Sequence, residues 1–241
     1  MRIAWAITGA GHFIHDSFEV FRKLKIEHSN LKVSIFISRA GEEVLKMYGL
    51  LDSIKDVAPG GYMEEIFLEK DQGYSYPKVG RFLVGKYDYL FVTPATSNTV
   101  AKIANGIADT LVTNAVTQAV KGSVPVYVVP VDIAGVIRSE LPYGIDREVC
   151  VKCEVCPPRD NCSHHAITAE PQIDLLLCEG CGTCIGLCQY GAIKGGEVEL
   201  RVRDLDYRNV QILRGLDEIT VLESPYDILD IMEKARQFMH R

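Results

Sequence analysis

Residues 87–109 read YDYLFVTPATSNTVAKIANGIAD. The first part, Tyr87 to Val92, is aromatic and β-branched and has the length of a buried central strand. At Pro94 the character changes. Pro94-Ala95-Thr96-Ser97-Asn98-Thr99 is small and hydroxylated, and Thr99 to Ile107 then has helical spacing. A buried strand that stops in small polar residues at a helix start is one βα unit of a parallel sheet. In open sheets of that kind, ligands sit beyond the carboxyl ends of the strands. Asn98 offers a donor and an acceptor, which suits the edge of a flavin ring. The plainer alternative is that Thr96 to Asn98 only cap the helix.

The rest of the chain repeats the alternation. Ile3 to Thr8 reads as a strand, with Phe13, Ile14, Phe18, Phe21 and Leu24 at helical spacing behind it. Leu31 to Ile37 is a second strand, followed by a helix from about Glu42 to Leu50, and Val124 to Val129 is another strand. Near the C-terminus, Glu218 to Leu222 and Pro225 to Phe238 form one more βα unit. This predicts an α/β fold, a doubly wound parallel sheet with helices on both faces. Two further strand ends carry ligand-compatible residues. Thr8-Gly9-Ala10-Gly11 would let backbone N–H groups approach a phosphate at a helix start. A full dinucleotide fingerprint would want glycine where Ile14 stands, and the phosphate-loop lysine is absent. At Ser38-Arg39-Ala40 a hydroxyl and a guanidinium could reach the same phosphate, or Ser38 could simply cap a helix.

All eight cysteines lie between Cys150 and Cys188. Cys150, Cys153, Cys156 and Cys162 form a C-x2-C-x2-C-x5-C run, and Cys178, Cys181, Cys184 and Cys188 form C-x2-C-x2-C-x3-C. Ala-Ile recurs at one offset after each run, as Ala166-Ile167 and Ala192-Ile193. Three thiolates at this spacing wrap one corner of an iron–sulfur cube. Disulfides would need an oxidising compartment. Two four-cysteine zinc sites are numerically possible, but ribbons use pairs and the third cysteine of each run is surplus to them. Because a βα unit follows the cysteines, the simplest organisation inserts residues 146–196 into an α/β domain made of 1–145 and 197–241.

The cysteine segment resembles a bacterial two-[4Fe–4S] ferredoxin from about Asp146 to Gly196. In that family the fourth cysteine of each run serves the other cluster. The resemblance therefore implies one cluster on Cys150, Cys153, Cys156 and Cys188, and a second on Cys178, Cys181, Cys184 and Cys162. Ser163 and Gln189 stand where the family usually has proline, and the x5 gap with Pro157 and Pro158 is longer than usual. The stretch from Met1 to Asp132 resembles the homo-oligomeric flavin-containing cysteine decarboxylase superfamily, through Pro94 to Thr99 and the following Ala-Asn-Gly-Ile-Ala-Asp. That resemblance implies FMN contacts at Gly9, Ala10, Ser38, Pro94, Ala95, Thr96, Asn98 and Thr99. Decarboxylation is not implied: residues 60–88 hold no histidine, and Pro130-Val131-Asp132-Ile133 replaces the family's Pro-x-Met-Asn.

With both features, the whole chain resembles the archaeal dihydromethanopterin reductase (acceptor) proteins and archaeoflavoproteins. The resemblance implies electron flow from a donor such as ferredoxin, through two clusters and FMN, to a pterin substrate, dihydromethanopterin. The alternative is an electron carrier that serves another iron–sulfur flavoprotein and has no small-molecule substrate. A flavin prenyltransferase-like role would leave the clusters unexplained. A homo-oligomer built from trimers is also implied.

A formal charge of −6 offers no basic surplus for nucleic acid. The apolar stretch from Val124 to Ile137 is broken by Pro125, Pro130 and Asp132 and is too short for a bilayer. His12, His15 and Asp16 follow Ile3 to Ala10 too closely for a signal peptide, so the cytoplasm is expected. Asp132, Tyr74, Tyr76 and Tyr143 are candidates for substrate contact or proton delivery, although loop carboxylates and rim aromatics commonly sit so. His164 and His165 read as surface residues, and the sequence assigns no catalytic acid.

Overall fold

The computed structural model describes residues 1–239. The chain builds β1 (Arg2–Ile7), α1 (Ile14–Glu27), β2 (Lys32–Ile37), α2 (Arg39–Met47), β3 (Ile66–Leu68), α3 (Gly80–Leu83), β4 (Tyr89–Ala95), α4 (Ser97–Ala104), α5 (Leu111–Lys121) and β5 (Val126–Pro130). It then leaves the sheet through β6 (Val136–Ile145), two short helices, α6 (Pro157–Asp160) and α7 (Thr183–Leu187), and β7 (Ile193–Arg201). It comes back through α8 (Asp204–Arg214), β8 (Ile219–Val221) and α9 (Asp227–Met239).

β1 shows why the sheet is buried on both sides. Ile3, Trp5 and Ile7 point to one face and pack with Phe18, Phe21 and Leu24 of α1 and with Ile228 and Met232 of α9. Ala4 and Ala6 point to the other face, with Phe36, Phe82, Val112, Val116 and Leu213. A strand covered on both faces reads as a continuous apolar run, as parallel strands do. The strand order is β3-β2-β1-β4-β5-β8, and every pairing is parallel. The winding direction reverses between β1 and β4, which opens a crevice beyond their carboxyl ends.

Several boundaries differ from the sequence reading, each for a local reason. β4 continues past Val92 to Ala95 because Thr93 is tied in on two sides. Its carbonyl accepts from Trp5 Nε1 at 2.7 Å and its hydroxyl shares a hydrogen bond with Ser17 at 2.8 Å. α4 consequently starts at Ser97 rather than Thr99, and Gly106 at φ +69° follows its end. α2 starts at Arg39 because the Ser38 hydroxyl caps it, accepting from Gly41 N at 3.0 Å. α5 and α8 were not expected, although Leu111, Val112, Ala115, Val116 and Ala119 carry helical spacing behind a Thr110–Thr113 capping box. β6 and β7 form a separate antiparallel ribbon, mostly exposed and tied by charges such as Arg138–Glu199 at 3.1 Å. An exposed ribbon gives no apolar alternation to read.

Candidate functional site

Three chain segments meet at the β1/β4 crevice. Thr8, just beyond β1, is buried and serves as the clamp. Its hydroxyl donates to the Pro94 carbonyl at 2.7 Å and accepts from Thr96 N at 2.9 Å. Its own N–H also donates to Pro94 O, at 3.3 Å. β2 joins through Ser38 N, which donates to Ile7 O at 3.1 Å. Gly9, Ala10, Ser38, Pro94, Ala95, Thr96, Asn98 and Thr99 are thus brought to one end of the sheet.

Their roles are not equal. Pro94, Ala95 and Thr99 are buried, and the Pro94 carbonyl, the Ala95 carbonyl and the Thr99 N–H already have partners in Thr8, Val131 and Thr96. Thr96 caps α4, accepting from Thr99 N at 3.3 Å and donating to Thr99 Oγ1 at 3.1 Å. That leaves the N–H groups of Ser97 and Asn98, and the exposed Asn98 amide, for an outside partner. The Ser38 hydroxyl accepts at its cap and keeps its own hydrogen to give. α1 starts after Phe13 in left-handed backbone, and no side chain among the described residues caps it. Ile14 N donates to Gly11 O at 3.1 Å and Ser17 N to Phe13 O at 2.9 Å, which leaves the N–H groups of His15 and Asp16 available as well.

The two glycines of the turn have internal reasons to be glycine. A Cβ on Gly9 would stand 2.5 Å from the Ala40 Cβ, and one on Gly11 would strike the Tyr48 hydroxyl. Close packing of Ala40 on the β1–α1 turn demands Gly9, before any phosphate is considered, whereas at Gly11 the obstacle is the far end of the Tyr48 side chain.

His12 belongs to this neighbourhood and was not singled out from the sequence. Burial lowers its pKa, against the opposing pull of the carboxylates of Asp16, Asp132 and Glu140. Asp132 follows the end of β5, at the carboxyl edge of the sheet. The other candidates scatter. Tyr74 is fully exposed, and Tyr76 is buried with its hydroxyl donating to Asp109 O at 3.3 Å. Tyr143 packs near Gly182 in the cysteine segment. His164 pairs with Glu179 at 3.4 Å.

The eight cysteines are unbridged and gather around two cavities. Cys150, Cys153, Cys156 and Cys188 line one, of about 150 Å³. Cys162, Cys178, Cys181 and Cys184 line the other, of about 40 Å³. Each group takes three thiols from one run and one from the other. Backbone N–H groups donate to sulfur at Ala166 N to Cys162 (3.4 Å) and at Gly180 N to Cys178 (3.5 Å). Burial pushes the Cys178 and Cys184 thiols up, whereas hydrogen bonds with Thr183 bring Cys181 down. Behind the thiols lies a small buried apolar cluster, Ala166, Ile167, Ile173 and Ile193, with Ala192 and Pro158 buried beside the cavities.

The Flavoprotein family model matches residues 1–134, and a 4Fe-4S binding domain model matches 171–194. A dihydromethanopterin reductase (acceptor) of Methanosarcina mazei is 62% identical over 95% of this chain and 98% of its own length. The chain belongs to this flavoprotein family. It is an iron–sulfur flavoprotein oxidoreductase. A second dihydromethanopterin reductase (acceptor), of Methanocaldococcus jannaschii, is 48% identical over 95% of both chains. Among solved structures, Burkholderia xenovorans DmrB in complex with FMN, described as a cubic protein cage for redox transfer, superposes with a TM-score of 0.64. It covers 100% of this chain and 97% of its own at 24% identity, which shows a shared fold. Among the described residues no helix is long and apolar enough to cross a membrane.

Proposed function

We propose that this chain takes electrons singly from a low-potential protein donor such as ferredoxin and uses them to reduce dihydromethanopterin to its tetrahydro form. The proposed cofactors are FMN in the β1/β4 crevice and two [4Fe–4S] clusters. One cluster is assigned to Cys150, Cys153, Cys156 and Cys188, the other to Cys162, Cys178, Cys181 and Cys184. The observation that carries the reading is the crossing of the two runs: three thiols of each and one of the other surround each cavity. Paired C-x2-C zinc sites have no use for such a crossing.

FMN, when bound, supplies the conversion between single electrons and hydride transfer. The part of the polypeptide is positional. Free N–H groups at the starts of α1 and α4 suit an anionic and hydrogen-bonding ligand, and the uncommitted Asn98 amide suits a flavin edge. Thr8 holds β1 and β4 in the register that keeps these groups together. Each pterin takes two electrons and two protons; the donor gives one electron twice, and the protons come from solvent.

The proposed organisation is a flavoprotein domain of residues 1–145 and 197–241 carrying a ferredoxin-like module at 146–196. β6 and β7, which flank the module as a ribbon, support it. The reading places the protein in the cytoplasm as a homo-oligomer built from trimers, in keeping with the cage described for DmrB. The test is anaerobic purification with iron, sulfide and flavin counted, followed by mixing reduced protein with dihydromethanopterin. About eight irons and one FMN per chain, with reoxidation by the pterin, is the expected result. Reoxidation by a redox protein alone would leave an electron carrier instead.

A further inference from the structure

Resting on that reading, we infer that Tyr48 and the Gly49–Gly180 contact dock the cysteine segment onto the flavin turn of its own chain, so that Cys162, Cys178, Cys181 and Cys184 form the set facing the flavin crevice. Cys150, Cys153, Cys156 and Cys188 are then the remote set, on the side where an external donor arrives.

The argument begins at Gly180, between Cys178 and Cys181. Its backbone, at φ +59°, lies directly on the end of α2. A Cβ there would stand 2.5 Å from Gly49 N, 2.6 Å from the Met47 carbonyl oxygen and 2.8 Å from the Tyr48 carbonyl carbon. The approach is mutual, since a Cβ on Gly49 would lie 2.9 Å from the Gly180 carbonyl oxygen. Two backbones come this close only where neither carries a side chain. Tyr48 then spans the remaining gap. Its main chain touches the cysteine loop, while the end of its ring lies against Gly11 in the β1–α1 turn, where a Cβ would stand 2.1 Å from the hydroxyl. Its hydroxyl donates to the Glu140 carbonyl at 2.8 Å, tying the same side chain to the β6–β7 ribbon. One residue therefore connects the flavin turn, the ribbon and the second cysteine loop. Burial and the Glu140 charge raise the Tyr48 pKa, so the phenol keeps the hydrogen that this bond requires.

Both cavities are lined from within the cysteine segment and its approach, 145–193 for one and 143–184 for the other. What separates the two sets is Gly180, which lies between two thiols of the second set and against residues 47–49. No bond is made or broken at Tyr48 or at the glycines: each electron lost by the external donor is one gained inside the protein. These residues only fix which cysteine set lies next to the flavin turn.

Gly182 provides the control. It too is left-handed, at φ +72°, and belongs to the same run, but a Cβ there would meet Tyr143 and Ile185 rather than α2. Gly180→Ala and Gly182→Ala thus impose similar backbone cost, and only the first breaks the docking. In the full-length protein loaded with iron and flavin, Gly180→Ala should give a several-fold rise in flavin fluorescence, through loss of quenching by the adjacent cluster. Amide exchange should speed up at 47–49. Gly182→Ala should change neither. Cys181→Ser should likewise raise the emission several-fold. Equal responses of the two glycine variants, at unchanged flavin content and with the iron of two clusters bound, would overturn the docking and leave the proposed function standing. A wild-type chain that binds no iron or no flavin would overturn both.

Discussion

Around Trp5, the sheet domain is filled by its own side chains: the indole stacks on Phe21 at 4.3 Å between ring centroids, and Phe91 meets Phe21 edge-on at 6.0 Å. Around Ile167, the cysteine segment has a small buried cluster of Ala166, Ile173 and Ile193 with a partly buried fringe such as Tyr143, Ile145 and Leu175, while Val151, Val155, Leu176 and Leu177 are exposed. The first region is held by burial on both faces of a sheet. The second has a short bridge between Ile167 and Ile173, two helices of four and five residues, and eight thiols. Segments of about 40 residues or fewer rarely bury enough surface to stay folded unaided. The contrast teaches that in one region the cofactor occupies a fold that already exists, whereas in the other the proposed clusters are part of what creates it.

Removing the metal should expose this contrast most strongly. Chelation of iron under reducing conditions should strip amide protection from residues 150–188 almost completely, because binding and folding energies there are the same quantity. β1, β2, β4 and β5 should keep theirs. Hydrogen exchange read by mass spectrometry decides it, and protection that persisted in an iron-free segment would erase the distinction.

The converse perturbation is Trp5→Ala. It should cost about 3–5 kcal/mol in urea unfolding of the sheet domain. Iron bound per folded chain should not change, and a parallel loss of iron would show the two regions to be one cooperative unit.

Thr8→Val is a smaller cut at the junction of β1 and β4. It removes the hydroxyl between Pro94 O and Thr96 N and should cost about 1–3 kcal/mol, since both partners are left short in a buried place. Flavin affinity, measured by titration of the apoprotein, should fall with it. Asn98→Ala should weaken flavin binding at a stability cost within about 0.5 kcal/mol, being exposed.

The smallest effect concerns pH. Burial lowers the pKa of His12 in the folded chain below its ordinary 6.5, so the unfolded chain takes up this proton first. Stability should therefore decline as pH falls from 6.5 towards the folded value, and level off below it. His12→Gln should flatten that part of the pH–stability curve of the sheet domain. An unchanged slope would place the titration elsewhere.

Much of the sheet was legible because its strands carry their burial in the local pattern, as Ile3 to Ile7 and Val126 to Val129 do. The α5 helix is equally legible in the spacing of Leu111, Val112, Ala115, Val116 and Ala119. The ribbon strands were not, because an exposed two-stranded element is held by partners such as Glu199 for Arg138, which no local period announces. At the site, the strand-end residues stood out by composition. Thr8 was within view, but its value lies in bridging to a strand 86 residues away. His12 and Tyr48 gave no signal at all.

The amino-acid order alone determined an alternating α/β chain, two cysteine runs of cluster-like spacing, and the small polar residues at the strand ends. Those properties depend on period and spacing, which act over a few neighbouring residues. Only the tertiary structure decided why Gly9 must be glycine, that Thr8 bridges β1 and β4, and that Tyr48 stands between the β1–α1 turn and the cysteine loop. Each of those depends on surfaces distant in the chain meeting at van der Waals distance, and the fit of two such surfaces is written in neither of them separately.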